Sequence, residues 1–357
     1  MGGKSSSLRK IDLVENLGEN SGVSTSDYHR FGDQNVHHGS GIIIPELPHG
    51  TSDRNRPEKP LYPIPDYEGN NDEVDRLQLQ HHLLRLAFGA NFHAPVKDML
   101  NAGVNVLDVG CGPATWSLEM ATQYKKSMFV GIDMFRVFPK DCRPVNTTFY
   151  YSNILDGLPF ADNAFDIVYQ RDMCLGLSKR QWPKILRELV RVTKPGGYIE
   201  LCEPDLEYLL LIVFVWIYYR SFYFGEVRGR GKGYARGIFI NVIAVIHIQT
   251  ALKIATSKGM DPHVGKNISN LLAEAGINNI QRGYVGIPMG HYGGREGKYM
   301  TDNFRELARQ LKPVLLSSMK LSTGEYDQGV EQVFRSWDNN RSYFNVYWVY
   351  GQKPLVP

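Results

Sequence analysis

The sequence predicts an α/β fold: a doubly wound, mostly parallel, Rossmann-like sheet of seven strands, with helices on both faces and a helical cap at the N-terminal side. Two observations lead to this prediction. From Val104 onward, short apolar runs alternate with helical stretches, which is typical of βαβ units on a parallel sheet that is buried on both faces. The first of these runs also leads directly into a glycine turn at Gly110 and then into a helix start.

The composition is that of an ordinary globular protein. Of the 357 residues, 43% are hydrophobic and 22% are charged. The net charge of +3 is too small to indicate nucleic-acid binding, and the 40 Lys and Arg residues are mostly scattered. Four distant cysteines, with no Cys-x-x-Cys pair and no histidine at zinc spacing, predict a reducing compartment and no metal site. Because no secretory segment opens the chain, we expect a cytoplasmic protein.

Residues 1–60 are polar and rich in Gly, Ser, Asn, Asp and Pro, so we predict a disordered tail. Its start, Met1–Ser6, fits the pattern for N-myristoylation at Gly2. An unmodified polar start is the alternative. A single acyl chain binds membranes weakly, so the lipid would give weak membrane association helped by nearby basic residues. A nuclear location also stays open.

The segment 61–103 is predicted to form the helical cap. Apolar residues recur at helical spacing from Leu77 to Phe88, and acidic residues at the start offset the helix dipole. We therefore predict one helix over about 72–88 and a second over about 93–102.

The strands and helices of the sheet follow in alternation. Residues 104–206 form the first half of the fold and 250–357 the remainder. The predicted strands are Val104–Val109, Met128–Ile132, Thr148–Tyr151, Phe165–Tyr169, Tyr198–Leu201, Ile280–Ile287 and Phe344–Tyr350. The predicted helices are Thr115–Tyr124, Gln181–Val192, 265–275 and Asp302–Met319. The long final strand suits an antiparallel position.

Residues 207–249 interrupt this pattern. Two apolar runs of about eleven residues, Leu209–Tyr219 and Ile238–Ile248, flank a Gly-Arg stretch. Each run is too short to span a bilayer. Three interpretations compete: a membrane-dipping hairpin, a substrate lid, or non-native sequence such as a translated intron. We favour the last, because no period of 2 or 3.6 organises the segment.

The turn after the first strand contains the most informative motif. Gly110 and Gly112 let the backbone bend tightly and let the N–H groups of the helix start face a ligand. A dinucleotide fingerprint requires a third glycine where this chain has Thr115, which disfavours a nicotinamide cofactor. Asp108 would repel a pyrophosphate but attract a cationic amino group. Asp133, at the end of the next strand, is placed to accept hydrogen bonds from ribose hydroxyls.

The chain resembles class I S-adenosylmethionine-dependent methyltransferases, which share the seven-stranded fold. The motifs that show the resemblance occur in the family's order: Asp108–Gly112, Gly131–Asp133, Leu158–Asp166 and Leu189–Tyr198. Ahead of them, Asp75–His82 resembles the fungal LaeA-type methyltransferases related to regulators of secondary metabolism. The resemblance implies S-adenosyl-L-methionine as the cofactor and residues 104–206 as the cofactor-binding half. The resemblance extends over roughly residues 60–206 and 250–352, and the segment between these two ranges does not resemble the family.

The resemblance also implies roles by position. The implied cofactor-binding residues are Asp108, Gly110, Cys111, Gly112 and Gln170 at the methionine end, Asp133 and Met134 at the ribose, and Asn153 and Ile154 at the adenine. For Gln170 and the neighbouring Arg171, a capped strand end is the alternative.

A methyl transfer needs a base only where the acceptor releases a proton. Glu203 and Asp205 follow the fifth strand at the carboxyl edge, where ligands of open α/β sheets bind, and His81 could approach from the cap. These three are the candidate catalytic residues. Surface capping or packing within a helix is the alternative for each.

The sequence therefore predicts S-adenosylmethionine-dependent methyl transfer to a small-molecule or protein acceptor. It contains neither the Asn-Pro-Pro-Tyr or Asp-Pro-Pro-Tyr motif used for amide or adenine nitrogen nor the Pro-Cys nucleophile used for cytosine C5. We therefore expect the acceptor atom to be an oxygen, nitrogen or carbon of a small molecule or a protein. The competing hypothesis is a non-catalytic regulatory protein that binds the cofactor and acts in a complex with a protein partner.

Overall fold

The structure, a computed structural model, describes residues 64, 69–205, 256, 259–319 and 322–355. Within them the chain forms seven strands: β1 Asn105–Val109, β2 Met128–Asp133, β3 Thr147–Tyr151, β4 Phe165–Arg171, β5 Thr193–Pro204, β6 Asn278–Pro288 and β7 Tyr343–Gln352. The helices are α1 Asn71–Phe88, α2 Lys97–Ala102, α3 Thr115–Gln123, α4 Trp182–Val192, α5 Val264–Glu274, α6 Gly294–Met319 and α7 Thr323–Asn340.

The predicted tail and the anomalous segment 207–249 lie outside the described residues. Modification of Gly2, the cytoplasmic location and the three interpretations of 207–249 therefore stay predictions. Among the described helices, none is both long enough and apolar enough to cross a membrane.

All seven strands belong to one sheet, in the order β3-β2-β1-β4-β5-β7-β6. Strands β1 to β5 pair in parallel, whereas β7 lies antiparallel between β5 and β6. The predicted doubly wound, mostly parallel sheet with an antiparallel final strand is confirmed. The carboxyl ends of β1 to β4 meet at one edge, and this edge forms the floor of the site described below.

Helices cover both faces of the sheet, because successive side chains of each buried strand point to opposite faces. On one face, Val106, Phe129 and Ile167 pack with α2 and α3. On the other face, Leu107 and Val168 pack with α4 and α5. A further core joins α1, α6 and α7 to β6 and β7.

Helix α1 is attached to α6 through a buried polar contact as well as through apolar packing. Arg76 is 5% exposed and binds both carboxylate oxygens of fully buried Glu73, at 2.6 and 2.7 Å. The same guanidinium donates to Asn303 of α6 at 3.3 Å. A buried charge is tolerated only where it is paired and hydrogen-bonded, so this contact fixes how α1 lies against the rest of the protein.

The cap confirms the predicted first helix within one residue but shortens the second. Helix α2 begins at Lys97 rather than near residue 93. The cause is Glu200 on β5, whose carboxylate accepts the backbone N–H groups of His93 and Ala94 at 2.8 to 2.9 Å. The preceding residues are therefore fixed as a loop, and Pro95 follows them.

The C-terminal helices differ more from the prediction. Helix α6 begins at Gly294, eight residues before the predicted start. Glycine has a low helix propensity, but Gly297 is required for packing here, because a Cβ on it would overlap the carbonyl oxygen of Gly290. Helix α7 was not predicted. Its start has a capping box between Ser322 and Glu325, and its buried residues recur at helical spacing: Tyr326, Val333, Phe334 and Trp337.

Two leucines of α1 provide a matched test of this packing. Leu84 is 1% exposed and lies in the core shared with α6 and α7, whereas Leu86 is 53% exposed. We expect Leu84→Ala to lower the free energy of unfolding by about 2–5 kcal/mol and Leu86→Ala to change it by less than about 0.5 kcal/mol. Denaturant unfolding measures both. Equal losses would contradict the described burial of α1.

Candidate active site

A cleft opens at the carboxyl edge of the sheet, and the turn after β1 forms its floor. Gly110 and Gly112 have positive φ angles, +70° and +53°, which glycine adopts without strain. A Cβ on Gly110 would also overlap the Met173 sulfur. The N–H groups of Gly110 and Cys111 both donate to the Ile132 carbonyl, at 2.9 and 3.0 Å. The turn is therefore joined to the end of β2.

Asp108 lies on β1 just before this turn, and its side chain lines the cleft. It is 4% exposed, and its Oδ2 accepts a hydrogen bond from Ser117 of α3 at 2.6 Å. Burial raises the pKa of Asp108 to about 6. The carboxylate is thus mostly ionised at neutral pH and suited to a cationic partner.

Asp133 ends β2 and is the second buried carboxylate of the cleft. Its Oδ2 accepts the N–H of Gly112 and its Oδ1 accepts the N–H of Phe135, both at 2.8 Å. Burial raises the pKa of Asp133 to about 6, although these N–H donors oppose the shift. The Met134 N–H also interacts with this carboxylate, and the lone pairs that remain of its about four acceptor positions can accept a hydrogen bond from a ligand hydroxyl.

Beyond Asp133 the lining becomes apolar. Met134 and Ile154 contribute to it together with Leu155. Asn153 begins a short 3₁₀ turn here, and its Oδ1 accepts the N–H of Leu155 at 3.0 Å. This part of the cleft can hold a flat aromatic ring between apolar side chains, with one amide group at its edge.

Helix α1 forms the opposite wall through Leu77, Gln80 and His81, which lie on one face of the helix. His81 Nδ1 lies 3.1 Å from Arg171 Nη2, and its Nε2 lies 2.7 Å from Glu119 Oε2. Arginine can only donate, so Nδ1 accepts and Nε2 donates its proton to Glu119. Burial lowers the pKa of His81 to about 4, so this ring is neutral. Both ring nitrogens are engaged, which argues against His81 as a base.

His81, His82 and Glu119 bring possible metal-ligand atoms within 4.8 Å of one another. The tautomer of His81 places a proton on Nε2, the nitrogen that faces Glu119, where a metal would require a lone pair. We therefore assign no metal to this cluster.

The other predicted site residues fall into two groups. Asp108, Gly110, Cys111, Gly112, Asp133, Met134, Asn153, Ile154 and His81 line the cleft, whereas Gln170, Glu203 and Asp205 do not. Gln170 is fully buried and points to the face of β4 opposite to Tyr169 and Arg171. Asp205 pairs with Lys266 at 2.6 Å.

Glu203 has a structural contact next to the cleft. Its two carboxylate oxygens accept the N–H groups of Met173 and Cys174, at 3.0 and 2.9 Å. It is fully buried, and burial raises its pKa. Glu203 therefore fixes the turn after β4 and so positions the Met173 side chain over Gly110. The reacting groups of a ligand would lie in the cleft, which Glu203 does not line.

Several lining residues were not among the predicted site residues. Trp116 and Tyr169 stack with their ring centroids 3.9 Å apart in the wall of the cleft, and Gln80 and Asp172 add polar groups. Arg171, which the resemblance placed beside Gln170 at the methionine end, also lines the cleft. The alternation of β4 could have separated Arg171 from Gln170, because only one of two neighbouring strand residues can face the cleft. No local pattern distinguishes Asp172.

The lining fits S-adenosylmethionine better than a dinucleotide. Among the described residues that line the cleft, three are carboxylates, Asp108, Asp133 and Asp172, and one is an arginine, Arg171. This excess of negative charge suits a ligand with an ammonium and a sulfonium group and a single carboxylate. It would repel a pyrophosphate placed beside Asp108. The apolar end accommodates an adenine ring, and Asp133 lies between the two ends.

Comparison with known proteins agrees with this geometry. Residues 106–197 match the family described as a methyltransferase domain. The N-methyltransferase sirN of Leptosphaeria maculans is 24% identical over 82% of this chain and 94% of its own length. The secondary metabolism regulator LAE1 of Cochliobolus heterostrophus is 28% identical over 40% of this chain and 46% of its own length.

A third relative is the protein-methionine methyltransferase laeA of Emericella nidulans, 25% identical over 62% of this chain and 52% of its own length. The chain thus spans about half the length of LAE1 and laeA and nearly the whole of sirN. The matched family covers β1 to the first part of β5, the half of the fold that contains Asp108 and Asp133.

The two buried carboxylates predict a pH-dependent affinity for S-adenosylhomocysteine. A ligand that binds the ionised forms loses affinity as the pH falls through about 6, up to about tenfold per pH unit for each carboxylate. We expect Asp133→Asn to weaken binding about tenfold at pH 7.5 and to reduce the pH dependence. Calorimetric titration between pH 5 and 8 measures both.

Asp162→Asn is the matched control, because this carboxylate is 70% exposed and outside the cleft. The affinity of this variant for S-adenosylhomocysteine, and the pH dependence of that affinity, should equal those of the unmodified protein. An affinity that does not change between pH 7.5 and 5 would contradict the assignment of Asp108 and Asp133 to ligand binding.

Proposed function

We propose that this protein, which has the fold and the domain of a class I S-adenosylmethionine-dependent methyltransferase and resembles the LaeA type, catalyses methyl transfer from S-adenosylmethionine to a small-molecule or protein acceptor. The observation that supports this most strongly is the pair of buried carboxylates, Asp108 and Asp133, on either side of the glycine turn. They match the amino group and the ribose of one ligand, and the apolar end beside Ile154 matches its adenine.

When bound, S-adenosylmethionine supplies a methyl group that its positive sulfur already activates. The remaining task of the protein is to orient the cofactor, to position the acceptor and to exclude water. Asp133 would hold the ribose and Asp108 the methionyl amino group, and Arg171 adds a guanidinium to the lining. Leu77, Trp116 and Met173 line the same cleft and limit the access of water.

A regulatory function is the alternative, and it is supported by the relative LAE1, whose name describes a regulator of secondary metabolism. In that case the protein would bind the cofactor and act in a complex with a protein partner. The name of sirN, an N-methyltransferase matched over nearly its whole length, favours the enzyme.

Release of S-adenosylhomocysteine separates the two functions. We expect the full-length protein to bind S-adenosylmethionine, not to bind NADH, and to release S-adenosylhomocysteine when offered amines, phenols and protein acceptors in turn. Asp108→Asn should reduce both binding and release, because it removes the partner of the amino group. The released S-adenosylhomocysteine is quantified by chromatography, and cofactor labelled in the methyl group shows the transfer as label that appears in the acceptor.

Binding without release on any acceptor class, together with a stable protein partner, would favour the regulatory function. Failure of a folded protein to bind S-adenosylmethionine would contradict both.

A further inference from the structure

Asp172 is a carboxylate in the cleft that the assignments above do not use. It directly follows Arg171, the last residue of β4, and has a φ angle of +60°. This left-handed conformation is uncommon outside glycine, and Asp and Asn are among the few residues that tolerate it. Its backbone N–H donates to the Cys202 carbonyl of β5 at 3.0 Å. The backbone therefore fixes the direction of the side chain into the cleft.

One oxygen of this carboxylate has partners among the described residues, and the residue lines the cleft. Oδ2 accepts a hydrogen bond from Gln80 Nε2 at 2.8 Å and lies 3.6 Å from Arg171 Nε. For Oδ1, the described residues provide no hydrogen-bond partner, and the side chain is 23% exposed. Asp172 thus presents a free acceptor atom to a ligand.

The contact with Gln80 has a defined orientation. Arg76, paired with buried Glu73, donates to Gln80 Oε1 at 2.7 Å. Because Arg76 can only donate, the oxygen of the Gln80 amide must face Arg76 and its nitrogen must face Asp172. A chain of contacts from the interior of α1 therefore positions the Asp172 carboxylate.

The order of the strands places Asp172 on the acceptor side of the cofactor. Along the edge, β3 and β2 end at the adenine and ribose residues, β1 ends at the methionine residues, and β4 comes next. The proposed cofactor contacts use the ends of β3, β2 and β1 and Arg171 at the end of β4, and they leave Asp172 unused. Asp172 lies past the methionine end, where a second substrate can reach the reacting sulfur. Burial raises the pKa of Asp172, although the charge of Arg171 opposes the shift, and this makes the carboxylate a better proton acceptor.

We propose that Asp172 Oδ1 binds the reacting nitrogen of the acceptor and that the acceptor is an amine. This inference rests on the proposed methyl transfer and specifies its substrate class. A carboxylate oxygen without another partner favours an amine nitrogen, which donates an N–H hydrogen bond and becomes positively charged as it is methylated. A phenolate or carboxylate acceptor would instead be repelled there.

The proposed transfer involves only the amine, the cofactor and the Asp172 carboxylate. The lone pair of the neutral amine forms a bond to the methyl carbon, and the carbon–sulfur bond breaks with its electron pair remaining on sulfur, which yields S-adenosylhomocysteine. The methylated amine then has one proton in excess. Asp172 Oδ1 accepts that proton and passes it to water through the open cleft.

The test uses sinefungin, a cofactor analogue in which an ammonium-bearing carbon replaces the methylated sulfur. Its ammonium group takes the place of the transferred methyl group. The affinity for sinefungin therefore depends on whether a negative charge lies on the acceptor side of the cleft. We expect the full-length protein to bind sinefungin about tenfold more tightly than S-adenosylhomocysteine. Asp172→Asn should remove this preference while changing the affinity for S-adenosylhomocysteine less than about twofold.

Two further variants complete the experiment. Asp172→Gly also tolerates the positive φ angle, so it provides a second folded protein without the carboxylate and should behave like Asp172→Asn. Asp156→Asn removes an exposed carboxylate near the same edge, outside the cleft lining, and should retain the preference. Calorimetry measures all affinities at one pH.

A preference for sinefungin that survives in both Asp172 variants, or that the unmodified protein lacks, overturns the proposal about Asp172. If neither ligand binds to the folded protein, the proposed methyl transfer itself fails. The two failures are distinguished by the affinity for S-adenosylhomocysteine alone.

Discussion

The hydrogen bond from the Gly112 N–H to the Asp133 carboxylate, 2.8 Å long, couples the turn after β1 to the end of β2, and the shape of the cleft depends on it. Without this contact the turn would be joined to β2 only through the Ile132 carbonyl. The Asp133 carboxylate is buried in this contact with Gly112. Burial of a charged group costs free energy unless hydrogen bonds compensate for the lost hydration. The N–H groups of Gly112 and Phe135 supply part of that compensation, and a bound ribose would supply more. Folding thus buries the Asp133 carboxylate at a place where the hydroxyls of a bound ligand would add to its hydrogen bonds.

A second polar chain crosses the cleft and makes the N-terminal helix part of the site. It runs from Glu119 on α3 through His81 on α1 to Arg171 at the end of β4 and to Asp172, which follows β4, and returns to α1 at Gln80. Because His81 and Gln80, which contact Arg171 and Asp172, both belong to α1, a shift of α1 would change the positions of the polar groups at the end of β4. The buried pair of Arg76 and Glu73 and its contact with α6 oppose such a shift.

The sequence sufficed to predict the features that depend on local pattern. The alternation of short apolar runs with helices predicted the sheet, and the spacing of Asp108, the glycine turn and Asp133 predicted the floor of the cleft. Helix α7 was missed although its capping box and its spacing of apolar residues were present. Both signals are local, so the sequence contains the information that predicts this helix.

Other features could not be predicted because they depend on contacts between distant residues. Gln80 meets Asp172 across 92 positions of sequence, and Glu203 reaches back 30 residues to the turn after β4. The position of Glu203 after a strand suggested catalysis, whereas its contacts are with backbone N–H groups. A carboxylate at the ligand-binding edge of a sheet has the same local sequence whether it faces the ligand or supports a turn.

The central claim is that the cleft between β1, β2 and α1 is the S-adenosylmethionine site. A crystal structure of the complex with S-adenosylhomocysteine tests it most directly. The account predicts the ribose hydroxyls on Asp133, the amino group beside Asp108 and the adenine against Ile154, with the sulfur open toward Asp172. A ligand bound elsewhere, or one whose ribose makes no contact with Asp133, would contradict it.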